Sequence, residues 1–209
     1  MEGKDKSFIE KEVDKYLNLV GLIDHKDKYP AQLSGGEKQR IALARSLIVK
    51  PKMLLLDEPF TALDPTLREN LRRETFKIIK EKNIPTIFVT HDINEAVEVA
   101  DKLAILSKGE FVAYDSPRNI FDNPGNLSTA SFIFKDNIIG NKLIKKTDIE
   151  ILPGDDYQII EKTYKGDYFT YRVAGKYNLL IDCPREYYMN DRVGINIKRV
   201  IELEKRWKK

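Results

Sequence analysis

The sequence predicts a layered α/β fold with parallel strands, followed by a small all-β unit. A short, continuously apolar run over residues 53–56 and a second predicted strand over residues 85–90 alternate with segments in which apolar residues recur at helical spacing. This alternation is typical of a parallel sheet whose strands are joined by helices. Beyond about residue 140 the pattern changes to short alternating runs separated by glycines, which is typical of an all-β unit.

Two helices are predicted before the first strand. Apolar residues recur at helical spacing over residues 8–20, and Gly21 ends that helix. The chain breaks at Pro30, and a second helix is predicted over residues 34–49, which stops before Pro51. Both helices therefore precede the sheet.

The strands of the α/β part are predicted to alternate with further helices. Because residues 53–56 are continuously apolar, we expect that strand to be buried on both faces, and residues 85–90, with Thr-Ile-Phe-Val in the middle, are predicted to form a second buried strand. A helix from Asp64 through Ile79 lies between them, with Pro65 in the favoured first position. The remaining elements are a helix over residues 92–100, strands over 102–106 and 110–114, and a short helix between Ser116 and Asn123.

The all-β part is predicted to form a small barrel over residues 140–209, after a linker over residues 127–139. Four aromatic residues cluster in it, and we interpret them as core residues and cross-strand partners: Tyr164, Tyr168, Phe169 and Tyr171.

Composition excludes several classes of function. The 209 residues include 36 basic and 33 acidic side chains, a near balance that speaks against nucleic-acid binding. Cys183 is the single cysteine, which excludes an intrachain disulfide and a cysteine-based metal cluster. No apolar run approaches the roughly eighteen residues needed to cross a bilayer, and the lysine-rich start has no apolar signal core. We therefore expect a soluble, cytosolic chain.

The first polar motif, Ser34 to Glu37, supports two compatible interpretations. In a capping box, Ser34 caps the second helix and Glu37 returns to the Ser34 backbone. Two glycines in the first turn, however, cost roughly 1 kcal/mol each relative to alanine, and a cap does not need them. Gly35 and Gly36 would let a phosphate approach the N–H groups at the positive end of the helix.

A second group of polar residues follows the predicted strands. Asp57 and Glu58 come after the first apolar run, at the edge where open α/β sheets bind ligands, although a surface turn has the same pattern. Asp57 would hold Mg²⁺ through water, and Glu58 would orient or activate an attacking water. Asp64 fits a helix N-cap. His91 ends the next strand, where a structural role is the alternative, whereas His25 lies in a polar stretch and is expected to be solvated.

Four short segments carry a resemblance to a known family. They are, in chain order, Leu33 to Gln39, Leu54 to Glu58, Ala62 to Asp64 and Thr90 to Asp92. Together they resemble the ATP-binding cassette (ABC) ATPases of membrane transporters, whose fold is an α/β layered sheet of the P-loop NTPase (RecA-like) type with a helical subdomain. The match covers about residues 29–124, and four such matches in this order do not arise plausibly by chance.

The resemblance implies ATP as a ligand of two motifs. Ser34, Gly35, Gly36 and Glu37 fall in the family's signature motif, with Glu37 at the position where Gln is common. Asp64 matches the D-loop aspartate. These residues are therefore the implied nucleotide-binding set of this chain.

The resemblance also implies Mg²⁺ and a hydrolytic edge. Asp57 matches the Walker B magnesium ligand, Glu58 matches the catalytic base, and His91 matches the switch histidine that senses the terminal phosphate. The implied chemistry is phosphoryl transfer to water.

The family's phosphate loop is missing from the sequence. No Gly-x-x-x-x-Gly-Lys-[Ser/Thr] segment (Walker A) occurs in the 209 residues, and in the family it lies upstream of the signature motif. The resemblance thus implies an incomplete P-loop NTPase fold, 1–126, with a helical subdomain, 1–50, and a catalytic core remnant, 51–126. The missing part includes a central strand, so we expect exposed apolar surface between the strands at 84–90 and 102–106.

The all-β part extends the resemblance to ATPases of importers. Residues from about 140 to 203 resemble a single oligonucleotide-binding-type (OB-like, TOBE/Mop-type) barrel, a regulatory appendage that needs no nucleic acid. The resemblance implies an ATP-binding subunit that couples ATP hydrolysis to import of a small solute, with an oxyanion such as molybdate or tungstate as the hypothesis.

The resemblance implies partners and a location as well. In the family two ATPase subunits form a head-to-tail dimer, in which each signature motif covers ATP held by the other subunit's phosphate loop. The dimer works with a membrane-embedded permease, at the cytoplasmic, inner face of the cell membrane. Without Walker A, this chain is expected to be inactive alone, unless a companion chain carries that loop. The alternative hypothesis is a non-catalytic regulatory protein whose barrel binds a ligand and whose ATPase remnant is a dimerisation platform.

Overall fold

The structure, a computed structural model, describes residues 5–134 and 137–204. The chain forms two compact units, the first ending at Val99 and the second beginning at Ala100. Across the described residues, every helix is too short or too polar to span a bilayer.

The first unit is built on a two-stranded parallel sheet. Its elements are, in chain order, α1 (Lys6–Leu19), α2 (Gly35–Ile48), β1 (Leu54–Asp57), α3 (Pro65–Glu81), β2 (Thr86–Val89) and α4 (Ile93–Val99), with 3₁₀ turns at Ile23–His25 and Pro30–Gln32. Strands β1 and β2 pair from Leu54 opposite Thr86 to Asp57 opposite Val89. The carboxyl ends of both strands therefore meet at one edge. The predicted α/β class, with helix-connected parallel strands, is confirmed.

One face of this sheet is open. Leu54 and Leu56 are buried in a core that α1, α2 and α3 supply. On the opposite face, Leu55, Ile87 and Val89 are 70%, 51% and 51% exposed. The prediction that residues 53–56 are buried on both faces and that residues 85–90 form a second buried strand is wrong for this face, because the helices described in this unit pack on the opposite face only. The three exposed residues lie on a sheet face, so the expectation of exposed apolar surface between the strands at 84–90 and 102–106 stays a prediction.

The second unit begins with an antiparallel hairpin and continues into two β-sheets. Its helices and hairpin strands are β3 (Leu103–Ser107), β4 (Glu110–Asp115), α5 (Pro117–Asp122) and α6 (Leu127–Ile133). The later strands are β5 (Ile138–Ile139), β6 (Lys142–Leu143), β7 (Ile149–Tyr164), β8 (Phe169–Ala174), β9 (Asn178–Cys183), β10 (Arg192–Ile197) and β11 (Ile201–Glu202), with a 3₁₀ turn at Lys146–Asp148. Among the described strands, β3 pairs with β4 alone.

The β-sheets of the second unit do not close by backbone pairing. One sheet has the order β10-β7-β8-β9 and the other the order β11-β6-β5. Within residues 137–204, β9 and β10 are the two edges of the larger sheet, so the strands predicted to form a barrel form an open sheet instead. The β-rich character of the region is confirmed, while its OB-like identity stays a prediction.

Two expectations about the segments around these sheets need correction or refinement. Residues 127–139, expected to be a linker, contain α6 and β5. Of the aromatic cluster, Tyr171 is fully buried, and Tyr164 stacks across strands on Phe169 with ring centroids 5.1 Å apart. Tyr168 is exposed and is not a core residue. The domain bounds 1–126 and 140–209 differ from the division at Val99 and stay a prediction.

Candidate functional site

The start of α2 forms a complete capping box. The Ser34 N–H donates to Glu37 Oε2 at 2.7 Å, and the Glu37 N–H donates to Ser34 Oγ at 3.3 Å. The structural interpretation of this motif is therefore confirmed. The phosphate-binding interpretation stays a prediction.

The two glycines of this turn have different surroundings. A side chain at Gly35 would meet no atom within 4 Å, whereas one at Gly36 would lie 3.2 Å from the Ala62 carbonyl oxygen. Gly36 is therefore explained by close packing against the loop that follows β1. Gly35 has no such packing role, and its position leaves the end of α2 accessible to a ligand.

Glu37 has a second contact that the sequence did not predict. The Nδ1 atom of His25, in the 3₁₀ turn before α2, lies 3.0 Å from Glu37 Oε1, and both side chains are half-buried. The expectation that His25 is merely solvated is wrong. Hydrogen bonds from Ser34, with the nearby His25 contributing less, lower the pKa of Glu37 below the usual value. Glu37 is therefore held as a carboxylate against the first turn of α2.

Asp57 and Glu58 lie at the carboxyl edge of the parallel sheet. Asp57 is the last residue of β1 and is exposed, while the Glu58 N–H donates to the Val89 carbonyl oxygen at 2.9 Å. Glu58 has a φ of +45°, which is unusual for a residue with a side chain. Strained backbone of this kind is concentrated at functional sites, where the surrounding structure holds it.

The fold brings Glu58 and His91 together across 33 residues of sequence. The Oε1 atom of Glu58 lies 3.0 Å from His91 Nδ1, and Glu58 Oε2 accepts from Thr61 Oγ1 at 3.1 Å. The hydrogen bond with His91, and then that with Thr61, lower the pKa of Glu58. The result is an ionised carboxylate beside an imidazole on an accessible edge, which suits it to accept a proton from water or to orient water.

The side chains at the sheet edge could bind Mg²⁺ only if a single carboxylate served as the protein ligand. Within residues 5–134 and 137–204, no three His, Cys, Asp or Glu side chains form a metal-ligand cluster. Mg²⁺ is commonly held through one or two carboxylates together with waters and substrate phosphates. Asp57, exposed next to Glu58, fits that arrangement, and its role as the magnesium ligand stays a prediction.

Asp64 has a structural partner. Its Oδ1 accepts from the Leu67 N–H at 3.0 Å, which makes it the side-chain cap of α3, with Pro65 following. The N-cap interpretation is confirmed, and a role toward nucleotide stays a prediction.

Replacing Asp64 with Ala is expected to destabilise the first unit by about 1 kcal/mol, because α3 loses its N-cap hydrogen bond. The measurement is the free energy of unfolding from urea denaturation. Asp64→Asn retains an accepting oxygen and is the matched control, with a change within a few tenths of a kcal/mol. An Ala variant as stable as the parent would contradict the assigned cap.

A buried polar network behind His91 was missed by sequence reasoning. Thr90 Oγ1 donates to Glu95 Oε2 at 2.8 Å, and Glu95 Oε1 lies 3.3 Å from Arg72 Nη1. Thr90 Oγ1 also accepts from the Asp92 N–H at 3.0 Å. The network thus connects α3, α4 and the turn that carries His91. A charged pair at 23-residue spacing on two different helices has no local signature.

Comparison with known proteins identifies relatives of this chain. Residues 4–61 match the family model for ABC transporters. The chain is 46% identical over 147 residues to the spermidine/putrescine import ATP-binding protein PotA of Mycoplasmopsis synoviae, and 45% identical over 145 residues to that of Ureaplasma parvum. It is 42% identical over 148 residues to the sulfate/thiosulfate import ATP-binding protein CysA of Nocardia farcinica.

These matches cover most of the chain and a minor part of each relative. They span 70%, 69% and 71% of this chain, but 32%, 28% and 45% of the respective relatives. The matched segment thus amounts to about a third of the length of the spermidine/putrescine relatives.

Proposed function

We propose that the chain is part of the ATP-binding subunit of an ABC importer, which couples ATP hydrolysis to import of a small solute. The family-model match over residues 4–61 and the importer-type relatives support this proposal. The observation that carries the proposal is the Glu58–His91 pair, 3.0 Å apart at the carboxyl edge of two parallel strands. Ligands of open α/β sheets bind at this edge.

Each site residue has a defined part in this proposal. Glu58 holds the attacking water and accepts its proton, and His91 orients the Glu58 carboxylate beside the terminal phosphate. Asp57 would be the protein ligand of Mg²⁺, and a bound Mg²⁺ would supply neutralisation of phosphate charge. The accessible end of α2, at Ser34 and Gly35, binds the phosphates of ATP held by a second subunit.

The exposed sheet face is a surface on which a further part of the ATPase would pack beside this site. Leu55, Ile87 and Val89 form a contiguous apolar surface directly behind the edge that ends in Asp57 and Glu58. A segment that carries a phosphate loop, on the same polypeptide or on a companion chain, would cover this surface and supply the cradle for ATP. A permease partner and a position at the inner face of the membrane follow from the importer-type relatives and are part of the same proposal.

The transported solute is proposed only as a class. The oxyanions molybdate and tungstate, expected from the sequence, have no support, since the relatives bear the names of spermidine/putrescine and sulfate/thiosulfate importers. We therefore propose a small solute and drop molybdate and tungstate as the favoured substrates.

The proposal is tested by ATPase measurements on three preparations. The 209-residue chain is assayed alone, with the phosphate-loop segment of a spermidine/putrescine relative, and with a complete subunit of that relative. The chain alone is expected to show no turnover, and each addition is expected to generate turnover above that of the added protein. No gain with either partner would overturn the proposal. Turnover by the chain alone that Glu58→Gln abolishes would overturn the expected dependence on a partner.

Replacing Gly35 with Asp is expected to abolish the gain seen with the complete subunit while leaving the chain folded. The new side chain meets no neighbouring atom, and an acidic residue in the first turn of a helix is favourable for stability. Its carboxylate would nevertheless repel the phosphates that the end of α2 is proposed to bind. Gly35→Ala, which adds bulk without charge, is the matched control. Equal ATPase stimulation by the Asp variant and the parent would contradict the assignment.

A further inference from the structure

One hydrogen bond connects α2 directly to the backbone of Glu58. The Nε2 atom of Gln39 donates to the Glu58 carbonyl oxygen at 2.9 Å, across 19 residues of sequence and in a partly buried position. The Glu58 amide is fixed at the same time by the Val89 carbonyl at 2.9 Å. Both polar backbone groups of Glu58 are thus tied to other elements of the first unit.

These ties act on a residue with a strained backbone. The φ of +45° at Glu58 costs about 1 kcal/mol or more for a residue with a side chain, so it persists only where neighbouring groups hold it. The backbone conformation sets the direction of the Glu58 side chain, whose carboxylate meets His91 and Thr61. The Glu58 carbonyl also accepts from the Thr61 N–H at a longer 3.4 Å, so loss of the Gln39 donor would leave it with that weaker contact and would let the carboxylate move away from His91 and Thr61.

Gln39 is one helical turn beyond Gly36, and both residues face the loop that follows β1. A side chain at Gly36 would press on the Ala62 carbonyl, while Gln39 hydrogen bonds to Glu58 at the start of that loop. The first turns of α2 therefore contact the loop at both of its ends.

The amide group of Gln39 is directed to this single interaction. The Oε1 atom of Gln39 is buried and accepts no hydrogen bond from residues 5–134 or 137–204. Within those residues, the amide therefore forms one hydrogen bond, from Nε2 to the Glu58 carbonyl. A partly buried amide is unfavourable unless its hydrogen bond compensates. If this position only had to fill space, an apolar side chain of the same length would pack equally well, so the hydrogen bond is the specific contribution of Gln39.

We propose that Gln39 is a positioning residue, which holds Glu58 in its left-handed backbone conformation and thereby links the partner-facing end of α2 to the carboxylate at the sheet edge. The functional consequence of this inference rests on the proposed function: when α2 binds ATP on a second subunit, its movement would be transmitted to Glu58. The positioning of Glu58 by Gln39 does not depend on nucleotide and is tested in the absence of nucleotide.

The test is an NMR measurement of Glu58 in the full chain, which reads its backbone φ from the HN–Hα coupling and its contact with His91 from NOEs. In Gln39→Met, which keeps the length of the side chain and removes the donor, Glu58 is expected to leave the left-handed region and to lose its NOEs to His91, because the hydrogen bond that holds its carbonyl is gone. Gln39→Asn, whose amide is one methylene shorter and falls short of the Glu58 carbonyl, is expected to give the same changes. Lys38→Met, at the adjacent exposed position, is the control and should leave the coupling and the NOEs unchanged.

The two histidines of the chain provide a second readout in the same samples. The ring signals of His91 are expected to move in both Gln39 variants, and those of His25, which lies on Glu37, to stay in place. A folded Gln39→Met or Gln39→Asn variant with an unchanged Glu58 coupling and unchanged His91 signals would overturn the inference. Such unchanged signals would overturn the inference whether or not the chain hydrolyses ATP with a partner.

A kinetic measurement tests the functional consequence separately. With the phosphate-loop segment added, Gln39→Met is expected to lower kcat about tenfold to hundredfold with little change in KM for ATP, since misplacement by about an ångström has effects of this size. A parent preparation without turnover would overturn the proposed function and leave the NMR result valid. Parent-like kcat in Gln39→Met would overturn the linkage.

Discussion

Replacing Glu58 with Gln is expected to lower ATP turnover by roughly 10²- to 10⁴-fold in the chain supplemented with a phosphate-loop segment, which is the range for loss of a general base. Gln keeps the size of the side chain and its bond with Thr61, but it cannot accept a proton from water. The measurement is steady-state phosphate release at saturating ATP, with nucleotide binding followed in parallel. Binding is expected to persist because Glu58 acts in the reaction and not in holding the phosphates.

Glu69→Gln, an identical change at an exposed position of α3, is the control and should leave turnover at the parent level. The preparation with a complete subunit gives an internal comparison. There the proposed ATP site on the complete subunit uses that subunit's own base, so the Glu58 variant should retain the stimulation that Gly35→Asp loses. Full turnover by the Glu58 variant in the supplemented chain would remove Glu58 from its proposed role.

Replacing Arg72 with Met is expected to destabilise the first unit by about 3 to 5 kcal/mol, the usual effect of removing one partner of a buried ion pair. The side chains of Arg72 and Glu95 are only 11% and 9% exposed, and the variant leaves the Glu95 charge buried without its cation. Arg72 also pairs with Glu98, which lies on α4 like Glu95, so a second contact is lost. The free energy of unfolding from urea denaturation is the measurement.

The double variant Arg72→Met, Glu95→Gln is the matched control. Removing both charges removes the unpaired buried carboxylate, so the double variant is expected to recover most of the lost stability. The carboxamide that Glu95→Gln introduces retains an oxygen that accepts from Thr90, which should keep the turn before His91 in place. A single variant as stable as the parent, or a double variant no better than the single one, would contradict this account.

The local elements of the chain were within reach of the sequence because their signals are short-range. The capping box at Ser34 to Glu37 and the N-cap at Asp64 depend on residues three positions apart, and both form as predicted. The parallel pairing of β1 with β2 follows from two apolar runs joined by a helix, since strands so connected run in the same direction. The order of motifs also pointed to the ABC transporter family, which the comparisons support.

Other features could not be predicted because they depend on which surfaces meet. The continuous apolar run of residues 53–56 indicated two covered faces and residues 85–90 a second buried strand, but the described helices of this unit pack on one side only, so Leu55 and Ile87 stay exposed. The contact of His25 with Glu37 likewise depends on how the 3₁₀ turn folds back on α2.

The sequence by itself determined the α/β class, the caps, the order of the strands and the presence of Asp57, Glu58 and His91 after strands whose ends meet at one edge. Tertiary structure alone decided that Glu58 lies 3.0 Å from His91 and that Gln39 holds the Glu58 carbonyl. The physical reason is the distance along the sequence between the residues that determine each feature. Helix caps and strand periodicity arise within a few residues, whereas a carboxylate is aimed by a backbone conformation and hydrogen bonds that come from distant parts of the chain.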